Sequence, residues 1–122
     1  MSRAKIAEFA AALGDGDNPA YAGDTPIAPP TFAAVLSSAA WGALFDDPEL
    51  GLALHRTVHG DQRFSWARPL RAGDVITATL RIDGVRVRQA MAIVNISVQL
   101  ATVGGEDVCT ASSTLLHTAE AA

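Results

Sequence analysis

The 122-residue chain holds one cysteine, Cys109. A single thiol cannot close an internal disulfide, and no Cys-x-x-Cys pair or Cys/His cluster supplies the ligands of a structural zinc site. Disulfide scaffolds and metal-stapled folds are excluded, and a reducing, cytoplasmic location is the expectation. Lysine is as scarce: Lys5 stands beside eight arginines, and the nine bases are outnumbered by thirteen acids, for a formal charge of -4. Without a basic stripe to neutralise phosphates, nucleic acid is not an expected partner. Long apolar runs are also missing. None approaches the roughly 20 residues that span a bilayer, and the N-terminal MSRAKIAEFAAAL spreads its charges instead of separating basic and apolar blocks as a signal peptide does. The chain shows no internal repeat and no low-complexity tract.

What is present is apolar: 49% of the residues are hydrophobic. A domain of this size buries about two-thirds of the surface of its unfolded chain, so one core without staples is feasible and a single domain over residues 1–122 is expected. Ile6, Phe9, Ala10 and Leu13 recur at helical spacing behind Ser2, a good N-cap, and Gly14 stops the pattern. Residues 14–30, rich in Gly, Pro and Asp, predict a loop. A second helix opens at Pro30 or Thr31, with Phe32, Val35, Leu36, Ala39, Ala40 and Ala43 as its stripe. Ala33, Ala34, Ser37, Ser38 and Trp41 fill its other positions, so this helix is expected to be buried on most sides.

After an unassigned stretch the period changes to two. Alternation predicts strands over Gln62–Pro69, Val75–Arg88, Ala90–Val103 and Asp107–His117, with hairpin-like connections at 71–74, 86–89 and 103–107. Cys109 alternates with apolar neighbours and is expected to be buried. Asn95, Ser97 and Gln99 mark the wetter or partner-facing side of their strand. A buried helix followed by a meander of long strands predicts an α+β domain, a long antiparallel curved sheet wrapped around one central apolar helix: the hot-dog arrangement. Open sheet edges are pairing sites, so a dimer is expected.

Three segments carry a family resemblance. IAEFAAALGDGDNPAY resembles the GD-x-NP-x-H loop of MaoC-like (R)-specific hydratases and dehydratases. IAPPTFAAVL resembles the AP-x-TF opening of their central helix, and HGDQRFSWARPLRAGD resembles their Q-x-F-x-x-x-(K/R)-P-(V/L)-x-x-GD strand and turn. In order, the three cover most of residues 5–117, with the closest likeness to the FAS1-like N-terminal branch that includes HadA- and HadC-type subunits of β-hydroxyacyl-ACP dehydratase. The resemblance implies a hot-dog domain acting on a (3R)-hydroxyacyl or enoyl thioester of coenzyme A or acyl carrier protein. It implies no cofactor.

In active members of that family an Asp and a His five residues apart on the first loop move the protons, and backbone N–H groups at the start of the central helix polarise the thioester carbonyl. Such donors at a helix N-terminus suit a developing enolate oxygen. Here they would be Thr31, Phe32 and Ala33. Anchored on Asn18-Pro19, however, the Asp position holds Gly16 and the His position Tyr21. Asp15 and Asp17 flank the vacancy, and Tyr21 is either a packing residue or a residual acid; His59 is the one histidine kept as a catalytic candidate. His55 and His59 lack a third ligand, so no metal is expected. Arg63, Arg68 and Arg71 would grip a phosphate-bearing thioester, or else form ion pairs with Asp61 and Asp74. Three roles follow: a catalytically degenerate acyl-binding subunit paired with a His-bearing homologue, a self-sufficient homodimer with a rebuilt site using Asp15 or Asp17 and His59, or a non-catalytic acyl-thioester binding module.

Overall fold

The computed structural model of the chain describes residues 1–118; the expected domain span of 1–122 thus includes residues 119–122, which lie outside the described residues. Helix α1 (Arg3–Ala12) starts where Ser2 Oγ accepts the Lys5 N–H at 3.1 Å, the N-cap bond expected of a serine. It ends in a Schellman turn: the Asp15 N–H reaches Ala10 O at 2.9 Å, the Gly14 N–H reaches Ala11 O at 3.0 Å, and Gly14 takes a φ of 76°. Ile6 and Ala10 face the core, but Leu13, expected on the same stripe, is 52% exposed. As the C-cap it sits where the chain turns away before anything packs over it.

The central helix is shorter and less buried than its composition implies. Helix α2 spans Phe32–Ala39, and a separate short helix α3 spans Gly42–Phe45. Between them the N–H groups of Ala40 and Trp41 bond to Ser37 O and Ser38 O at 3.0 and 3.1 Å, a tightened turn that breaks the expected continuous helix. Phe32, Ala33 and Ser37 are buried, whereas Val35 is 46% exposed and Ala39 is exposed. A helix lying on one sheet buries only the stripe that faces it, so burial on most sides is not achieved within this chain.

Four strands, β1 (Thr57–Trp66), β2 (Ile76–Arg88), β3 (Met91–Thr102) and β4 (Asp107–Thr118), form one antiparallel sheet in the order β1-β4-β3-β2. Together with the helix laid on the sheet, this is the expected hot-dog domain. Two details differ. Strand β1 runs from Thr57 to Trp66 and not from Gln62 to Pro69. The 71–74 connection is not a hairpin, because β1 and β2 are the two edges and residues 67–75 cross between them. Alternation reports that a segment is a strand but not which neighbour it pairs with. The crossover ends in a turn with Gly73 at φ 91° and the Asp74 N–H on Arg71 O at 3.2 Å, as a type II turn requires.

The face of the sheet toward α2 carries Val98, Leu100 and Cys109, which with Val108 pack on Ile6, Phe32 and Ala33. A second cluster joins Leu44 of α3 to Val94, Ile96 and Leu115. Cys109 is buried as expected, and burial pushes its thiol up to about 11. The other face is polar: Thr110 Oγ1 donates to Gln99 Oε1 at 2.7 Å, Thr114 Oγ1 to Asn95 Oδ1 at 3.1 Å and Ser97 Oγ to Asp83 Oδ1 at 3.2 Å. Among the described residues, no helix is long and apolar enough to cross a membrane.

Leu100 is fully buried between helix and sheet. Leu100→Ala is expected to lower the unfolding free energy by about 2–5 kcal/mol, read from the denaturant midpoint at unchanged slope; a loss below about 1 kcal/mol would contradict this packing.

Candidate active site and its relatives

The loop ahead of α2 is held by Asn18. Its Oδ1 accepts the Ala20 N–H at 3.0 Å while its Nδ2 donates to Asp15 Oδ2 at 3.1 Å, and a short 3-10 turn over Pro19–Tyr21 follows. An Asn before Pro suits such a turn because its side chain bonds the backbone two residues on. The Ile27 N–H returns to Ala20 O at 2.9 Å, closing the loop. Asp15 is thereby a loop-bracing residue, and Asp17 is exposed. Tyr21 is half-buried and packs on the cluster of Ile6 and Phe32. Gly16 occupies the position where the family motif has its acid. A Cβ there would meet Ala11 Cα at 3.5 Å and Ala11 Cβ at 3.7 Å, ordinary contact distances, so the position is vacant and not blocked.

Of the three expected oxyanion donors, two are occupied. The Phe32 N–H bonds Pro29 O at 2.9 Å and the Ala33 N–H bonds Pro30 O at 3.3 Å, whereas the Thr31 N–H has no backbone bond among the described residues. The turn-like entry to α2 therefore leaves one of the three N–H groups open.

The arginines do not converge. Arg68 Nη1 donates to Asp74 Oδ2 at 2.9 Å and to Pro69 O at 2.8 Å, and its Nη2 donates to Asp74 Oδ1 and Glu106 Oε1, both at 3.0 Å. Asp74 Oδ2 also takes the Arg71 N–H at 2.8 Å. The Arg68 and Asp74 side chains are 14% and 13% exposed, so this clasp is largely shielded from water. The bidentate Arg68 holds the Asp74 carboxyl below the usual carboxylate range, and the two carboxylates raise the guanidinium further above its own. The clasp ties the 67–75 crossover to the β3–β4 turn and leaves Arg68 no free edge for a phosphate. Arg63 sits on the outer face of β1 with Asp61 at 3.3 Å, and Arg71 is exposed on its turn. Both ion-pair partners named by the sequence, Asp61 and Asp74, are found.

His59 lies on edge strand β1, edge to face with Trp41 at 5.1 Å between ring centroids, its Nε2 3.0 Å from Asp61 O. No hydrogen bond or ring contact joins it to Asp15, Asp17 or Tyr21. His55 is exposed, and His117 Nε2 accepts the Ala53 N–H at 3.0 Å. Among the described residues no three His, Cys, Asp or Glu side chains could hold a metal ion.

The sequence did not reveal a groove of about 740 Å³ between α1, α2 and the start of β2, walled by Phe9, Phe32, Val35, Leu36, Val75 and Ile76. Its one available signal was the apolar run Val35-Leu36 of α2: Leu36 packs in part against the core, whereas Val35 is left exposed. The Met1 amine donates to Asp74 O and the Gly73 N–H to Met1 O at 2.7 Å, so the clasped turn also fixes one end of this groove.

A hot-dog domain with the MaoC-type loop, helix opening and strand defines the class as that of hot-dog dehydratases and hydratases. Residues 1–111 match the family model described as FAS1-like, dehydratase domain region, and the chain belongs to that family. It is similar to a UPF0336 protein of Cutibacterium acnes, 56% identical over 93% of this chain and 80% of that one. A UPF0336 protein of Streptomyces coelicolor is 42% identical over 95% and 83%. Among solved structures, the C-terminally truncated HadBC (3R)-hydroxyacyl-ACP dehydratase complex of Mycobacterium tuberculosis matches with a TM-score of 0.80 at 30% identity, covering 94% of this chain and 86% of that one. The (R)-hydratase PhaJ1 of Pseudomonas aeruginosa, at 19% identity and a TM-score of 0.73 over 98% and 76%, shares the fold.

The clasp sets a pH dependence. The folded state binds the Asp74 proton less tightly than the unfolded chain does, so its contribution is complete above the unfolded carboxylate value, about 3.9, and is lost as pH falls through the lower folded value. Thermal melts are expected to show a shallower acid-side loss of stability in Asp74→Asn than in the parent. Equal acid-side slopes would contradict the clasp.

Proposed function

We propose that this chain is the acyl-binding subunit of a (3R)-hydroxyacyl-thioester dehydratase, or of the enoyl-thioester hydratase that runs the same reaction in reverse, and that a homologous hot-dog chain supplies the acid and base. One observation carries this: the catalytic loop keeps its Asn18-Pro19 turn but presents Gly16 and Tyr21 where the family motif has Asp and His. Dehydration removes an α-proton and delivers a proton to the β-hydroxyl as it leaves as water. Groups that do this are matched to neutral pH and contribute about 10²–10⁴-fold each. A phenol, a far weaker acid than an imidazolium, is a poor substitute for the histidine. Supporting the pairing, the relative at 30% identity belongs to a (3R)-hydroxyacyl-ACP dehydratase complex, and Val35, Ser38 and Ala39 of α2 stay exposed in this chain.

In this assembly the groove beside Phe32 holds acyl carbons, since Phe9, Val35, Leu36 and Val75 offer an apolar wall next to the start of α2. Thr31 N–H is the donor available to a thioester oxygen. The polar loop residues Asp15 and Asp17 brace and solvate the loop and do not touch the reacting atoms.

Hydration of a crotonyl thioester is expected to be at background with the purified chain and restored when it is co-expressed with a His-bearing hot-dog subunit. Full turnover by this chain alone would overturn the proposal. Because the Gly16 position is vacant and not blocked, Gly16→Asp combined with Tyr21→His is expected to raise the isolated chain's hydration rate by about 10²-fold or more. No gain in a folded double variant would show that more than the pair has been lost.

A further inference from the structure

Strand β2 closes the sheet on one side, and past the irregularity between Ile82 and Gly84 its last residues pair regularly with β3, from Gly84 opposite Asn95 to Arg88 opposite Met91. Their outward N–H and C=O groups face no strand among the described residues. The side chains alternate. Val85 and Val87, opposite Val94 and Ala92, lie on the helix side of the sheet yet beyond its cover, 51% and 71% exposed. Arg86 and Arg88 point to the other face, and no ion pair involves either among the described residues. Arg81 is engaged by Asp83 at 2.8 Å. Residues 81–91 therefore hold three arginines against one aspartate in a chain whose net charge is -4.

Natural edges are commonly protected by charges on the inward face or by bulges that end pairing. Here the irregularity lies before the open segment, and the inward side chains are valines. We propose that the Gly84–Arg88 edge is a docking site for an extended acidic segment of a partner protein, which adds as a strand with carboxylates facing Arg86 and Arg88 and apolar side chains facing Val85 and Val87. Strand addition draws affinity from backbone bonds and specificity from alternate side chains, and charge complementarity selects an acidic occupant. An anionic membrane or nucleic acid would use the arginines but neither the valines nor the backbone edge. The inference does not depend on the function proposed above, and its test reads no turnover.

The probe is a fluorescein-labelled, end-blocked Val-Glu-Val-Glu-Val-Glu-Val peptide titrated against the whole chain. Saturable binding that weakens with salt, with new amide-exchange protection centred on residues 84–88, is expected. Arg86→Glu with Arg88→Glu should weaken it at least tenfold and switch preference to the Val-Lys analogue. Should that variant fail to fold, Val87→Asp removes the apolar half of the site and should give a comparable loss. The proposal is overturned if no saturable binding occurs, if a block-scrambled peptide of the same composition binds equally, or if phosphatidylglycerol vesicles bind while the peptide does not.

Discussion

The contact between one face of α2 and the apolar side of a four-stranded sheet organises the rest of the molecule. Phe32 and Ala33 settle on Val98, Leu100, Val108 and Cys109, and Ile6 from α1 closes the same cluster. Because that helix must begin where the sheet can receive it, the Ala28 N–H is pinned to Leu70 O at 2.7 Å just before the helix starts. Loop, helix opening and crossover are thus brought to one end of the sheet by a single packing requirement. The same contact leaves the back of α2 uncovered, which opens the apolar groove and leaves part of the helix for another body to cover.

Polar order at that end comes from the clasp of Arg68, Asp74 and Glu106. Largely screened from water, a bidentate pair with a second carboxylate fixes the crossover against the β3–β4 turn in a way that exposed pairs such as Arg63 with Asp61 do not. One arginine nitrogen, Nε, is buried there without a partner. The motif residues Arg68 and Asp74 therefore serve architecture, and the phosphate-gripping role expected of the arginines is not open to Arg68.

Much of the fold was legible because its signals are periodic. The alternation of Val94, Ile96, Val98 and Leu100 with Asn95, Ser97 and Gln99 carries both the strand and its two faces, and Ser2 and Gly14 bracket α1 by their capping chemistry. Less legible was whatever depends on another part of the chain. Nothing local tells that β1 and β2 are opposite edges, that α2 breaks at Ala40 and Trp41, or that Leu13 escapes cover. At the site, the vacated Gly16 and Tyr21 positions were readable from spacing against Asn18-Pro19. That Phe32 and Ala33 spend their N–H groups on Pro29 and Pro30 is a matter of turn geometry, and that Arg68 is clasped by two carboxylates while Arg86 and Arg88 have no ion pair among the described residues is a matter of who stands nearby.

The central claim is a division of labour: this chain contributes shape and the homologue contributes protons. The most direct measurement is the hydration rate of the reconstituted pair when this chain carries Asp15→Asn, Asp17→Asn and Tyr21→Phe together, compared with a pair in which the partner's loop histidine is replaced by Gln. The account predicts a rate within about threefold of the parent for the first pair and a fall of about 10²-fold or more for the second. The reverse pattern, a collapse on changing this chain's loop and indifference to the partner's histidine, would contradict it.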